Sequence, residues 1–227
     1  MKKDNFFWVS YSDLMTSLFF VMLVLYTLTY VMLQTTVQNL EQKLEVYDLV
    51  KENLNPLKEN TELFRYEKEY KRFTLAFDVA FERGDSKIKR GKLKRYSYTL
   101  SKIKSVGIEL RKTIDLLAKK KTENKKMKNV SYLVIISGYA SHLEHGTISR
   151  DYELSYKRAF NLWYFWRNKM GIDFEADKYK GLIDLQISGN GWGGVGRFPR
   201  DSDRNFIEES KNQRFIIQIV PKIGEVI

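Results

Sequence analysis

From Phe6 to Leu33 the chain carries a single side chain that is charged at neutral pH, Asp13, in an otherwise apolar and hydroxyl-bearing run. As a helix this run is about 42 Å long, at about 1.5 Å per residue, against the roughly 30 Å of a bilayer's hydrocarbon core. It is long enough to span with tilt. No small-residue cleavage site interrupts its passage through Leu, Val, Tyr and Met into Gln34, so it reads as a retained span rather than a signal peptide. Lys2 and Lys3 precede it and the first charge after it is Glu41, which places the N-terminus in the cytoplasm by the positive-inside rule and the rest of the chain outside.

The polar residues of the span are ordered. Ser10, Asp13, Thr16 and Ser17 recur at spacings of three and four, one helical face, with Thr27 near the same line. A polar stripe facing lipid is costly, so this face expects protein or water, and the helix expects a partner. Beyond the span, Leu33, Val37, Leu40, Leu44 and Tyr47 alternate steps of four and three among Gln, Glu and Lys. That is a short coiled-coil pattern satisfied by two copies side by side, or the apolar face of one amphipathic helix lying along the outer domain. Asn55-Pro56 ends the helix, because the residue before proline is pushed out of the helical region.

Residues 57 to 72 are highly charged with sparse Leu57, Leu63 and Phe64, and read as a second linker helix. Phe73, Leu75, Phe77, Val79 and Phe81 alternate with smaller or polar residues, a period-two strand that ends at the Gly84-Asp85-Ser86 turn. Helical spacing then predicts a helix over 99–121, followed by a lysine-rich loop from Lys119 to Lys128. A strand is expected over 132–136, a helix over 154–170 with Phe160, Trp163 and Trp166, and strands over 182–187 and 215–220. The alternation predicts a two-layer α/β domain, helices packed on one face of a mixed sheet.

The net charge of +11 arises entirely beyond the span, since Lys2 and Lys3 cancel Asp4 and Asp13. For a domain outside the cytoplasm a basic surface suits cell-wall polymer or anionic lipid heads better than nucleic acid, or is simply solvated. There is no cysteine, hence no disulfide framework and no thiol site.

Phe7-Trp8-Val9-Ser10-Tyr11-Ser12-Asp13-Leu14-Met15-Thr16-Ser17 resembles the membrane signature of the MotB family of stator subunits. Residues 131 to 221 resemble the OmpA-like peptidoglycan-binding domain, through Gly138-Tyr139-Ala140-Ser141, Leu154-Ser155-Tyr156-Lys157-Arg158-Ala159, Gly171-Ile172 and Asn212-Gln213-Arg214-Phe215. The short N-terminal tail and the Phe-Trp-Val-Ser-Tyr entry look most like the B subunits of Zorya antiphage systems. The resemblance implies a cytoplasmic tail over 1–5, a single N-terminal transmembrane helix over 6–33, a helical periplasmic linker over 34–72 and an OmpA-like α/β domain with a mixed sheet over 73–227. It further implies a homodimer inside a pentameric ring of a MotA-like A subunit in the bacterial inner membrane, bound to peptidoglycan and not to nucleic acid. The ring would be driven by H⁺ or Na⁺ passing Asp13, with no bound cofactor.

An ionised carboxylate in a bilayer costs several kcal/mol, so Asp13 must be neutralised by a proton or paired with a cation, and Thr16 and Ser17 could supply oxygen ligands. In the outer domain the resemblance gives Arg158 the role of gripping a carboxylate of the peptide stem, for which a planar guanidinium is suited. It places Arg150, Asp151 and Leu154 one or two helical turns before it, with Asn212 and Arg214 opening the last strand. Ser141 and Asp151 depart from the family's aspartate and asparagine. Ser141 cannot supply a charge for an ammonium group; Asp151 is the available substitute. Gly189-Asn190-Gly191-Trp192-Gly193-Gly194 has dinucleotide-fingerprint spacing but no helix start after it, and reads as a flexible loop. His142, Glu144 and His145 lack a further ligand at a known metal spacing. No nucleophile, base and orienter set is legible, so an enzyme is not expected.

Overall fold

The computed structural model describes residues 4–70, 72–77, 79–82, 84–141, 147–194 and 212–223. Contacts divide the chain into two units, one ending at Val46 and one running from Tyr47 to Glu225.

A single helix, α1, runs unbroken over Asp4–Asn53 and belongs to both units. In the first unit its side chains over 8–45 are exposed on every side, and its most apolar stretch has a mean hydropathy of 2.0. A helix that is apolar all round and covered by nothing is long and apolar enough to cross a membrane. Its threonine hydroxyls are internally satisfied: Thr16 donates to the Ser12 carbonyl at 2.8 Å and Thr29 to that of Leu25 at 2.7 Å. Such back-bonds let hydroxyls sit in hydrocarbon without an orphan donor.

The second unit is a mixed α/β domain. Helix α1 stops at Asn53, and Pro56 sits in the first turn of a short helix, α2 (Asn55–Glu59), where a missing N–H costs nothing. Proline thus ends one helix and opens the next. The expected second linker helix does not extend through residues 57–72: Phe64–Glu67 is strand β1, an edge strand paired antiparallel with β2 (Arg72–Leu75). The strand read over Phe73 to Phe81 is cut short as well. Phe73 and Thr74 pair with Ile217 and Ile216, and the partner strand begins at Phe215, so the register runs out just past Leu75. Phe81 instead bridges to Leu93, with its ring 5.8 Å from that of Phe215.

Helix α3 spans Tyr96–Glu123 and absorbs the first half of the lysine run expected as loop, because Lys121 anchors its last turn by donating to the carbonyls of Val130 and Gly181 at 2.6 and 2.8 Å. Strand β3 (Val130–Gly138), helix α4 (Ile148–Met170), strand β4 (Ile183–Gly189) and strand β5 (Phe215–Ile223) complete the domain. The sheet order is β1-β2-β5-β3-β4, with β3 and β4 parallel and the other neighbours antiparallel. This is the two-layer mixed sheet that the alternation predicts.

Two glycines set how closely α4 approaches the sheet. A Cβ on Gly138 would run into the main chain of Ser155, and one on Gly189 into that of Tyr156. The face of β3 turned to α4 therefore carries Val130, Tyr132, Val134 and Ile136, all buried. Helix α4 itself starts at Thr147, whose hydroxyl accepts from the Arg150 N–H at 3.4 Å, and stops at Gly171, left-handed with φ +62°. Trp166 is fully buried, whereas Trp163 is only half-buried. The glycine-rich start of the segment after β4, residues 190–194, is tied down at Asn190 and Gly191: Asn190 N–H donates to the Gly138 carbonyl and Ala140 N–H to that of Gly191, at 3.0 and 2.8 Å.

Candidate functional site

In the first unit the site is the helix face itself. Continuous helix through Ser10, Asp13, Thr16 and Ser17 puts them on one side, all exposed, with Asp13 the only acid in the apolar stretch. Thr16 spends its hydroxyl proton on the Ser12 carbonyl, which leaves its oxygen lone pairs available to a cation or donor beside Asp13.

In the second unit the candidate site is built around Tyr139, where the chain leaves β3. Tyr139 N–H donates to the Arg214 carbonyl at 3.1 Å, which knits the end of β3 to the entry of β5. Beneath lies the inner face of α4, where Asp151, Ser155 and Arg158 recur at spacings of four and three and are all buried. Ser155 Oγ accepts from Gly191 N–H at 2.8 Å, holding the β4 loop against the helix.

Arg158 is only 2% exposed. Its Nη1 donates to the Tyr139 carbonyl at 3.0 Å, its Nε to the Asp85 carbonyl at 3.2 Å and its Nη2 to Gln213 Oε1 at 3.4 Å, while its plane lies 4.6 Å from the Phe81 ring centroid. Burial pulls the guanidinium down to about 10, against the opposing pull of Asp151 and Asp85. Gln213 passes the connection on, its Nε2 donating to Ser141 Oγ at 3.0 Å. Arg158, Gln213 and Ser141 thus form one hydrogen-bonded line. Asp85 faces the other way, its carboxyl held below the usual range chiefly by Lys92 at 2.6 Å.

A second cluster meets Tyr139 from the sheet side. Glu67 accepts from Arg72 Nε at 2.7 Å and lies 3.7 Å from Arg214 Nη1. Arg72 also donates to the Tyr139 hydroxyl at 3.5 Å, and the Arg214 guanidinium lies 5.7 Å from the Tyr139 ring centroid. Three guanidinium groups, Arg72, Arg158 and Arg214, therefore surround one tyrosine with two carboxylates, Glu67 and Asp151, beside them. Asp85, which also pulls on Arg158, is paired with Lys92, so among the described residues the excess is one positive charge, which suits a small anion such as a carboxylate.

Of the residues singled out in the sequence, Ser141, Arg158 and Arg214 gather at Tyr139, and Asp151 acts on Arg158 through its charge. Asn212 is fully buried one step before Gln213. Arg150 is exposed and Leu154 half-buried, both off the cluster. Glu67, Arg72 and Gln213 complete the site and were not among the residues expected. Gln213 lay inside the Asn-Gln-Arg-Phe motif and was the one legible from sequence. His142, Glu144 and His145 lie outside the described residues; among those described, no cluster of three potential metal ligands occurs.

No family model and no curated protein matches the sequence. Among solved structures, the chain is similar to a MotB-like protein of Desulfovibrio vulgaris, with 13% identity over 80% of this chain and 96% of the other at a TM-score of 0.39. It is similar to an outer membrane protein of Borrelia burgdorferi B31, with 23% identity over 70% of this chain and 98% of the other at a TM-score of 0.36. It is also similar to the C-terminal domain of Helicobacter pylori MotB, with 13% identity over 65% and 86% at 0.28. At these identities and TM-scores the likeness carries no argument about function, which rests on the chain's own residues.

Proposed function

We propose that this chain anchors a peptidoglycan-binding domain to the bacterial inner membrane, and that it does so as the B subunit of an ion-driven stator acting in antiphage defence of the Zorya type. The observation that carries the reading is Asp13, a lone exposed acid lined up with Ser10, Thr16 and Ser17 on a continuous apolar helix. A carboxylate inside a bilayer costs up to about 2.5–3.5 kcal/mol, the figure for a helix centre, and stands there where it works. A proton or Na⁺ falling through 100 mV releases about 2.3 kcal/mol, enough to bias a conformational step each time Asp13 is neutralised and released. The partners of this reading are a second copy, paired along the exposed Leu33, Val37, Leu40 and Leu44 stripe, and a MotA-like ring facing the polar side of the helix. The anion-suited cluster around Tyr139 supports the wall-binding half, with Arg214 serving the stem peptide and Arg158, buried and bonded to the protein through all three nitrogens, fixing the backbone beside it.

A passive membrane-to-wall tether uses the same helix and the same cluster and has no need of Asp13. A flagellar stator shares all of the chemistry. The test is phage plating and swimming of cells carrying the whole gene cluster with Asp13→Asn, which removes the charge at constant size, with protein level checked by blot. Lost protection at normal protein level supports ion-driven defence. Unchanged protection, where the parent protects, leaves the tether; loss of swimming instead of protection gives the flagellar stator.

A further inference from the structure

Helix α4 buries one face in the domain and leaves another bare. Tyr152, Tyr156, Phe160 and Tyr164 follow one another every fourth residue and are 43%, 45%, 36% and 49% exposed. The rings of the last three form a ladder: Tyr156 on Phe160 at 6.2 Å and Phe160 on Tyr164 at 5.9 Å, both stacked. A row of large exposed aromatics of this extent marks an interaction surface.

The geometry of the ladder decides what kind of partner fits. Phe160, the centre of the ladder, has a stacked ring on each side and so offers no open aromatic plane for a sugar ring. Nor is the face cationic: Lys157 is paired with Glu153 at 2.5 Å, and Arg167 with Glu175 and Asp173 at 3.0 and 3.3 Å. An anionic membrane gains little from charges already neutralised. What the face does show is self-complementarity about Phe160. Tyr156 and Tyr164 stand four residues on either side of it, Lys157 and Trp163 three, and Glu153 and Arg167 seven. Two such helices running antiparallel would set Phe160 against Phe160, Tyr156 against Tyr164, the Lys157 ammonium near the Trp163 ring and Glu153 near Arg167. That is the isologous arrangement of a two-fold contact. The intramolecular ion pairs are largely solvent-exposed and weakly held, so Glu153 and Arg167 can exchange partners at small cost.

We propose that the outer face of α4 is an interface for a second copy of this chain, the two helices running antiparallel about an axis at Phe160. The inference rests on the reading that two copies assemble, and its test separates the two. The chain has no cysteine, so single cysteines report without background. Phe160→Cys lies on the axis and is expected to form a disulfide-linked dimer when membranes are oxidised. Co-expressed Tyr156→Cys and Tyr164→Cys chains are expected to cross-link to each other several-fold more than either does alone. Tyr98→Cys, more exposed than Phe160 and on α3, is the control for random collision, and Leu40→Cys reports pairing along α1. Cross-linking at Phe160 above the Tyr98 level, with the 156–164 preference, supports the interface. Cross-linking at Leu40 with none at Phe160 above the control overturns the α4 interface and keeps the pairing, and absence at both overturns both.

Discussion

Arg158 Nη1 donates to the main-chain carbonyl of Tyr139 at 3.0 Å, so a side chain of α4 holds the backbone at the point where it leaves β3. The same guanidinium also takes the Asp85 carbonyl and Gln213, with Asp151 buried beside it. Truncation by Arg158→Ala orphans these acceptors and leaves a buried carboxylate without its compensating charge, a loss of about 3–5 kcal/mol. Arg158→Lys keeps the charge without the planar fork and should fall between. Urea unfolding of the three proteins checks the order; equal midpoints would mean that the guanidinium does not hold this junction.

Much of the fold was legible because the strongest signals are local. The apolar run through Tyr132 to Ile136 is buried on the face turned to α4, and the three-and-four spacing from Ile103 to Leu117 is the buried stripe of α3. What failed to show was set by pairing. Strand β1 hides in a charged segment because its alternation, Phe64 and Tyr66 against Arg65 and Glu67, is only four residues long, and as an edge strand it pairs only with β2. The alternation from Phe73 to Phe81 is real in sequence, yet the strand stops where its partner starts. The site divides likewise. A motif named Arg158 and Arg214, but nothing local could tell that Arg72 reaches Tyr139 across the sheet, or that Glu67 binds two arginines.

Tyr132 gives the domain an alkaline limit that can be isolated. Burial pushes its phenol up to about 12, against a smaller opposing pull from the Asn53 side chain. A raised folded value means the stabilisation is complete below the unfolded tyrosine value of about 10 and is lost as pH rises towards 12. Arg158, lowered to about 10, has the opposite sign in the same range, so the total slope is not diagnostic. Comparison with Tyr132→Phe cancels the Arg158 contribution. The variant should gain on the parent by roughly 2–3 kcal/mol between about pH 10 and 12, measured by denaturant unfolding at each pH. A constant difference would show that Tyr132 ionises as readily folded as unfolded.

Gly107 and Trp166 fix the spacing of α3 and α4. A Cβ on Gly107 would lie 2.6 Å from Trp166 Nε1, which is itself held by donation to the Ile103 carbonyl at 3.0 Å. The indole cannot move aside without breaking that bond. Gly107→Ala, which would stabilise an open helix by up to about 1 kcal/mol, should here cost about 1–3 kcal/mol. Thermal unfolding reads the sign directly, and a stabilised variant would mean the two helices separate easily.

Glu67 holds its two arginines unequally, Arg72 at 2.7 Å and Arg214 at 3.7 Å. The side chain of Arg72 is 6% exposed and that of Arg214 16%, so Arg72 is the structural partner and Arg214 the one that can turn towards a bound carboxylate. A charge-assisted contact of that kind contributes about 1.4 kcal/mol or more, a factor of roughly ten in affinity. Arg214→Gln should therefore lower retention of the full-length protein on purified peptidoglycan sacculi about tenfold, with little change in unfolding midpoint. Arg72→Gln should lower the midpoint first, because it strips the closer partner from a largely buried Glu67. Raising salt should weaken retention of the parent more than that of Arg214→Gln, since only the parent brings this charge to the wall. Full retention by a folded Arg214→Gln protein would remove Arg214 from the binding site and leave its guanidinium a structural neighbour of Tyr139.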